Sequence, residues 1–294
     1  MINSIRKFLR NFIFFRKLVA YTLVPSGFFD NYFRNYQPDD GWKIRNAIVL
    51  ESTDNNKIPR TEKAGTIKNG KQYLHNDIRI NLGSYYGPEV TRLLIDNKGV
   101  HEPQEEYVFI QVLKELPAKA TMIEMGAFWG FYSMWFNKEI KQAINYLIEP
   151  DAFNIVSGKK NFKLNKMQGN FSQYFVGDKS NNKQGEVPTI CVDDFVEQNK
   201  IDFIDLLHSD IQGFEFDMLH GAAKTFSQNK IGFIFISTHS NQVHNQCLQF
   251  LKEKNFKIVA NANLDESFSL DGLIVGKAPT YNYGPDIVQI SLRK

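Results

Sequence analysis

The sequence predicts an α/β protein built on a doubly wound, mainly parallel sheet. Short apolar runs alternate with segments of helical periodicity from about residue 102 onward. One run, Ile231 to Ile236, is almost continuously apolar, as expected of a central strand covered on both faces. Another begins at Thr121 and ends in Gly126-Ala127, a pattern typical of a strand that turns sharply into a helix.

Length and composition divide the chain into two parts. With 294 residues, of which 43% are hydrophobic, it can bury one large α/β core and a smaller piece. We expect residues 1–100 to form an amino-terminal helix and a partly β cap that is a candidate substrate-binding region. Residues 101–294 are expected to form the ligand-binding domain. The net charge of +3 gives no general electrostatic case for nucleic acid as a partner.

The two cysteines, Cys191 and Cys247, do not have the spacing of metal ligands. Two thiols in so long a chain favour a reducing compartment, so we expect a cytoplasmic protein. Both side chains are expected to be buried.

The first 24 residues have a basic amphipathic pattern. No acid precedes Asp30, and the basic residues are Arg6, Lys7, Arg10, Arg16 and Lys17. Apolar residues recur at near-helical spacing, namely Ile5, Phe8, Leu9, Phe12, Ile13 and Phe15. Two interpretations remain open, a helix peripheral to the inner face of a membrane or a helix packed on the domain. The apolar runs fall short of the roughly 20 residues of a spanning helix, and no cleavage site stands out, so neither a transmembrane segment nor a secretory signal is expected.

The cap is predicted to consist of short, turn-connected pieces. Ile44 to Leu50 and Ile78 to Leu82 have the apolar pattern of strands. Between them, Asn69-Gly70 has the composition of a tight turn.

A helix is predicted from about Glu102 to Leu116, where apolar residues repeat at helical spacing until Pro117 ends it. Its first turns carry the acids Glu102, Glu105 and Glu106. Carboxylates stabilise a helix amino terminus, and we expect that to be their role.

Strands and helices alternate after this helix. The predicted strands after the one at Thr121 are Ala143 to Ile148, Gln173 to Val176, Ile201 to His208, Ile231 to Ile236, Phe256 to Ala260 and Leu273 to Val275. The predicted helices are Phe131 to Phe136, a helix capped by Asp151 and running to Leu164, Gly213 to Phe226, and Val243 to Lys254. No internal repeat or low-complexity segment interrupts the alternation.

The glycine turn after the first strand is the leading candidate for a ligand site. It reads Gly-x-x-x-Gly from Gly126 to Gly130 and lacks the middle glycine that lets a pyrophosphate approach a helix. We expect Glu124, Ala127 and both glycines to contact the ligand, with Gly130 letting the helix start lie against it.

The acid that follows the second strand points to the kind of ligand. Glu149 lies 19 residues after Gly130, where Rossmann-like folds hold a ribose. An adenosine with a short charged tail needs a ribose acid but no phosphate cradle. The stretch therefore favours S-adenosylmethionine (SAM) over NAD, with a plain tight turn as the third interpretation.

Further polar residues close the other strands and are expected at the same edge of the sheet. Asp178 follows the third predicted strand, where it would either meet the adenine edge or serve as a turn aspartate. Asp210 and His239 follow the fourth and fifth. His239 either acts as a general base, since its ordinary pKa suits proton transfer near neutral pH, or caps the next helix. His208, inside the fourth strand, is expected to be a core histidine.

Asp210 has three roles open to it. It could orient His239, bind a substrate hydroxyl or hold a divalent metal, for which Glu215 and Asp271 are further oxygen donors. Glu215 would lie in the first turn of a helix, where a carboxylate is favoured anyway.

With these residues placed, the chain resembles the FkbM-type SAM-dependent methyltransferases from about Glu102 to Gly276. Four blocks carry the resemblance: Ile123 to Ser133, Ile148-Glu149-Pro150, Thr189 to Phe195, and Ile204 to Glu215. The last block keeps Asp210, Gly213 and Glu215 but has His208 and Gln212 where similar families commonly have lysine and glutamate, so no lysine-based role carries over.

The resemblance implies a seven-stranded class I methyltransferase with strand order 3-2-1-4-5-7-6. It also implies transfer of a methyl group to a hydroxyl of a sugar, polysaccharide or related natural product. Two alternatives remain, an NAD-dependent oxidoreductase and a non-catalytic module on a SAM-binding scaffold.

Overall fold

A computed structural model of the protein describes residues 23, 26–85, 87–182 and 184–294. The chain forms two compact units. One consists of the described residues up to Lys43 together with Arg60–His101, and the other of Ile44–Pro59 and Glu102–Lys294. The amphipathic pattern predicted within residues 1–24 lies outside the described residues except for Leu23.

The first unit contains a small antiparallel sheet. Its elements are α1 (Asp30–Arg34), β1 (Ile67–Lys68), β2 (Lys71–Tyr73), β3 (Arg79–Asn81) and α3 (Pro88–Asp96), with the first turns of α2 (Asp40–Glu51). The strands pair in the order β1-β2-β3. Asn69 and Gly70 form the predicted turn between the first two, both with positive φ.

The second unit alternates strands and helices. After the rest of α2 and a 3-10 helix (Thr53–Lys57), its helices are α4 (Pro103–Leu113), α5 (Phe131–Glu139), α6 (Ala152–Leu164), α7 (Val192–Gln198), α8 (Glu215–His220), α9 (Ala223–Ser227) and α10 (Asn241–Glu253). Its strands are β4 (Thr121–Met125), β5 (Ile144–Ile148), β6 (Asn170–Ser172), β7 (Phe175–Val176), β8 (Thr189–Ile190), β9 (Ile204–Ser209), β10 (Ile231–Thr238), β11 (Lys257–Ala262) and β12 (Gly272–Lys277).

Seven of these strands form one sheet in the order β11-β12-β10-β9-β4-β5-β6. β12 runs antiparallel to both of its neighbours, β10 and β11, and the other pairs in this sheet are parallel. Numbered along the chain within this sheet, the order is 3-2-1-4-5-7-6 from the β6 edge, which confirms the class I methyltransferase topology. All eight residues of β10 are buried, as its apolar sequence predicts.

Three predicted elements differ from the structure. Ile44 to Leu50 is helical and lies within α2. Ile44, Ile48 and Val49 also lie at helical spacing, and this spacing outweighs the strand preference of β-branched side chains. The third strand of the sheet is β6, whereas β7, inside the segment predicted for it, pairs with β8 in a separate two-stranded sheet. The helix predicted from Gly213 to Phe226 is divided into α8 and α9 near Gly221.

Apolar side chains from both faces of the sheet make the core of this unit. Ile123, Leu207 and Ile234 are fully buried in the central strands. Cys191 and Cys247 are free and buried, as expected. In the described part of the chain, every helix is too short or too polar to cross a bilayer.

Candidate active site

The candidate site lies where β4, β5, β9 and β10 end. The turn after β4 is bound to its neighbour, because Gly126 and Ala127 both donate backbone hydrogen bonds to the carbonyl of Ile148, at 2.9 and 3.0 Å. Gly126 has φ +75°, and a Cβ there would overlap the carbonyl oxygen of Asp210. Glycine is therefore required for close approach to the backbone that follows β9.

Close packing leaves no room for a side chain at Gly130. It has φ +79° at the start of α5, and a Cβ there would lie 2.8 Å from a ring carbon of Phe162 and 3.2 Å from Leu147. These are core side chains. Close packing therefore explains why residue 130 is glycine, and a ligand contact at Gly130 stays a prediction from sequence.

Glu149 lies beside the Gly126–Gly130 turn and is 6% exposed. Its Oε2 accepts a hydrogen bond from the backbone N–H of Phe128 at 2.9 Å. Its Oε1 accepts from the N–H of Asp151 at 2.9 Å and the side-chain amide of Asn154 at 3.1 Å. The carboxylate therefore holds both the turn and the start of α6, where Asp151 caps the helix as predicted.

Glu124 lies beneath this turn. It is 3% exposed, and its Oε2 accepts from the N–H of Ser133 in the first turn of α5 at 3.1 Å. Burial raises the pKa of Glu124 to about 7, although the charge of nearby His208 and the hydrogen bond from Ser133 lower it. Its observed contacts hold α5 against β4.

Asp178 stands apart from the seven-stranded sheet. It is exposed and follows β7, which pairs with β8. Gly221 comes close to this segment, since a Cβ there would lie 3.3 Å from the Cα of Asp178. An adenine contact for Asp178 remains a prediction from sequence.

The structure brings His239 together with three carboxylates. Its Nδ1 lies 2.8 Å from Oε1 of Glu215, and its Nε2 lies 3.2 Å from Asp210 and 3.6 Å from Asp271. The side chain of His239 is 15% exposed, whereas that of Glu215 is fully buried. Gln212 completes the group, with its side-chain amide 2.7 Å from Nε2 of His239 and 3.1 Å from Asp210.

The protonation of His239 is set by this surrounding charge. Burial lowers its pKa, but hydrogen bonds to Asp210 and Glu215 and the charges of Asp210 and Asp271 raise it to about 10. With Nδ1 bonded to Glu215, Nε2 donates to Asp210 when the ring is charged and accepts from Gln212 when the ring is neutral. Each charge state of the imidazole therefore has a partner at Nε2.

Asp271 takes part in the same coupling. Burial raises its pKa to about 6, the charges of Asp210 and Glu105 act in the same direction, and those of His239 and Arg45 oppose them. Within the described ranges, no group of three or more histidine, cysteine, aspartate or glutamate side chains has the arrangement of a metal site.

Sequence reasoning missed two of the residues that surround these groups. Glu105, predicted only to stabilise the helix amino terminus, is 5% exposed and binds His208 at 2.7 Å and Ser237 at 2.8 Å. Its burial was foreseeable, because it precedes Val108 and Phe109 on the same helical stripe. Gln212 was treated only as a departure from the family pattern.

Two surface cavities lie away from this site. One, of about 390 Å³, is lined by Thr121, Ile144 and Asp205 near the starts of β4, β5 and β9. The other, of about 250 Å³, lies between α7 and α9. The polar groups described above belong to neither.

Comparison with known proteins gives one family. The methyltransferase FkbM domain matches residues 82–258, more than half of the chain. A search of functionally curated proteins finds no match.

Several solved structures are similar to the chain. They include methyltransferase FkbM from Methylobacillus flagellatus KT (16% identity, 67% of this chain and 56% of that chain, TM-score 0.45) and precorrin-6y C5,15-methyltransferase from Geobacter metallireducens GS-15 (13%, 60% and 88%, 0.42). A third is M. capricolum TrmK in complex with S-adenosylhomocysteine (16%, 59% and 68%, 0.39). Likenesses at this level give no information on substrate.

Proposed function

Because the chain belongs to the FkbM methyltransferase family, we propose that this SAM-dependent methyltransferase methylates a hydroxyl group of a sugar, polysaccharide or related natural product. The observation that carries the proposal is the contact of His239 with Asp210 and Glu215 at the strand ends. A histidine there can remove the proton from a hydroxyl, which transfer to an alcohol needs because a neutral alcohol is a weak nucleophile.

The residues near the β4–α5 turn fit the nucleoside part of the cofactor. Glu149 is proposed as the ribose acid, and its Oε2 accepts one hydrogen bond from Phe128, which leaves a lone pair for a ribose hydroxyl. Gly126 and Ala127 supply the turn beside it, and Asp178 is proposed for the adenine edge. When bound, SAM supplies a methyl group on a positively charged sulfur that is a good leaving group.

The proton transfer is assigned to His239. The neutral imidazole accepts the hydroxyl proton at Nε2 while Nδ1 stays bonded to Glu215. Asp210 then faces the protonated Nε2 and stabilises the charge that has formed. A fixed geometry of this kind serves an in-line displacement, in which alignment supplies much of the rate.

The high pKa of His239 couples proton transfer to cofactor binding. Because the pKa of His239 is raised to about 10, most molecules carry the protonated ring at neutral pH. A positive charge bound in the same cleft lowers the pKa of a neighbouring histidine. Binding of a cationic cofactor is therefore expected to increase the neutral, active fraction.

A divalent ion held by Asp210 is the alternative to this assignment, and no step above uses it. Asp210 already faces His239 and Gln212, and the described residues do not form a metal site. Turnover is therefore expected to survive chelation with EDTA. Full loss with EDTA and recovery with Mg²⁺ would transfer the activating role from His239 to a metal.

Two parts of the proposal rest on sequence alone. Residues 1–100 are the proposed acceptor-binding region, and residues 1–24 a proposed peripheral membrane contact. The first can be examined once an acceptor is found, and the second by binding to anionic vesicles.

Calorimetry provides the first experiment. We expect S-adenosylhomocysteine (SAH) and SAM to bind with micromolar dissociation constants, and NAD not to bind. Tight NAD binding without a response to the other two would favour an oxidoreductase. Transfer of a labelled methyl group from SAM to hydroxylated acceptors, including glycans, then tests the reaction. Binding of SAM with transfer only to amine or carbon acceptors would remove the hydroxyl assignment.

A further inference from the structure

A buried carboxylate joins the two strands that end at the reactive group. Glu105, in the first turn of α4, lies 2.7 Å from Nε2 of His208 on β9 and 2.8 Å from Oγ of Ser237 on β10. The three side chains are 5%, 2% and 4% exposed. We call Glu105, His208 and Ser237 the Glu105 bridge.

The register of the strands gives the bridge its significance. β9 and β10 are parallel, with His208 opposite Phe235 and Ser209 opposite Ile236. His208 lies two residues before Asp210, and Ser237 lies two residues before His239. The bridge therefore links the two strands two residues before Asp210 and His239, on the same face of the sheet, and those two side chains lie 3.2 Å apart.

From this placement we propose that Glu105 is a positioning residue, which ties β9 to β10 and so holds Asp210 against His239. The inference rests on the proposed function of His239. It means that α4, which lies outside the sheet, controls the contact between Asp210 and His239 at the ends of β9 and β10.

Charge and packing support a fixed arrangement. Burial lowers the pKa of His208, but the hydrogen bond and charge of Glu105 and the charges of Glu124 and Asp210 raise it overall. The His208 ring also packs against Tyr132 on α5, with centroids 4.3 Å apart. A charged pair enclosed in this way has few other arrangements open to it.

One atom of the bridge has no partner. Nδ1 of His208 is buried without a hydrogen bond to any described residue. Simple space filling would be met by an apolar ring at no such cost. Histidine is explained if its cationic N–H is needed to hold the Glu105 carboxylate in place.

The test measures the titration of His239, which reports its contact with Asp210. The full-length protein is labelled with ¹³C,¹⁵N-histidine, its spectra are recorded from pH 6 to 11, and His239 is assigned with His239→Gln. The groups that face this ring are Asp210, Glu215, Asp271 and Gln212. No acceptor is required.

Glu105→Ala removes the bridge, and we expect the pKa of His239 to fall by about 1 pH unit or more, because a bonded carboxylate raises a histidine pKa by about one to three. Glu105→Gln can still accept from His208 and donate to Ser237, so its change should stay within about 0.3. This rescue separates geometry from charge. If Glu105→Ala fails to fold, Ser237→Ala removes only one arm and should give an intermediate decrease.

Tyr281→Phe is the matched control, because Tyr281 binds Asp205 at 2.6 Å at the other end of β9. It should leave the His239 pKa unchanged, and all variants should keep SAH affinity within about threefold. An unchanged His239 pKa in both Glu105→Ala and Ser237→Ala would overturn the proposal. So would an equal decrease in Glu105→Ala and Glu105→Gln. Failure of the wild-type protein to bind SAH would instead refute the proposed function.

Discussion

The two halves of the sheet end in carboxylates that are held in different ways. Beside β4 and β5, Glu124 and Glu149 accept hydrogen bonds mainly from backbone N–H groups of the turn and helices that follow. Beyond β9, Asp210 and Glu215 face the imidazole of His239. A backbone N–H cannot change its charge, whereas an imidazole can. The first half is thus suited to holding a ligand, and the second to moving a proton.

The largest expected effect is the loss of the turn after β4, in the first half. Gly126→Ala places a methyl group against the carbonyl of Asp210 at positive φ, which should lower the free energy of unfolding by about 2 to 6 kcal/mol and abolish SAH binding. Gly185→Ala is the control, since Gly185 has φ +86° with open space around it and should lose only about 1 to 2 kcal/mol. Equal losses in urea unfolding would mean that backbone conformation, not close approach, requires Gly126.

Removing the base tests the second half alone. His239→Ala should lower turnover by about a hundredfold to ten-thousandfold and leave SAM affinity nearly unchanged, since a general base acts on the chemical step. Wild-type turnover should rise with pH toward the His239 pKa, and the variant should lose that limb. A normal rate and pH profile in His239→Ala, with Asp210→Asn inactive, would make Asp210 the activating residue.

Glu149→Ala provides the reciprocal test in the first half. Hydrogen bonds to a charged acceptor contribute roughly 1.5 to 3 kcal/mol, so SAM affinity should fall by about ten- to a hundredfold by calorimetry. The His239 titration should not move. Unchanged affinity in a folded variant would remove Glu149 from the cofactor site.

The second half should also carry a pH-dependent part of the stability. The pKa of His239 is raised from its ordinary 6.5 to about 10 in the folded protein. A raised pKa contributes stability that is complete below pH 6.5 and is lost as pH rises through about 10. The difference in unfolding free energy between wild type and His239→Gln should shrink over that range, and Glu149→Ala should show no such trend.

The smallest effect is expected outside both halves. Deleting residues 1–24 should change neither SAH affinity nor the His239 titration. If these residues contact a membrane, the full chain should co-sediment with anionic vesicles at low salt and separate at high salt, because salt screens surface charge. Equal co-sedimentation of the deleted protein would place the contact elsewhere.

Sequence alone predicted what depends on local pattern. The β4 turn, the Asp151 cap and the apolar run of β10 all follow from neighbouring residues. The strand predicted at Ile44 to Leu50 was wrong, because its residues fit both periods and only packing decides between them. The third strand was misplaced because β6, Asn-Phe-Ser, has almost no apolar pattern.

The site shows the same division. Asp210 and His239 were placed at one edge from topology alone, and their 3.2 Å contact agrees with that placement. The Glu105 contact with Ser237 joins residues 132 positions apart and has no local signal. The acid of a helix first turn looks the same in sequence whether it faces solvent or a buried histidine.

The three hydrogen bonds of Glu149 bear on how fast and how favourably a ligand binds. Two of its donors are backbone groups and one is Asn154, so the carboxylate and the turn beside it are ordered before a ligand arrives. Immobilising a flexible side chain on binding costs about 0.5 to 1.5 kcal/mol, mostly in entropy. Here that ordering is completed during folding. Nucleoside association should therefore show little loss of conformational entropy and no slow rearrangement after the first encounter.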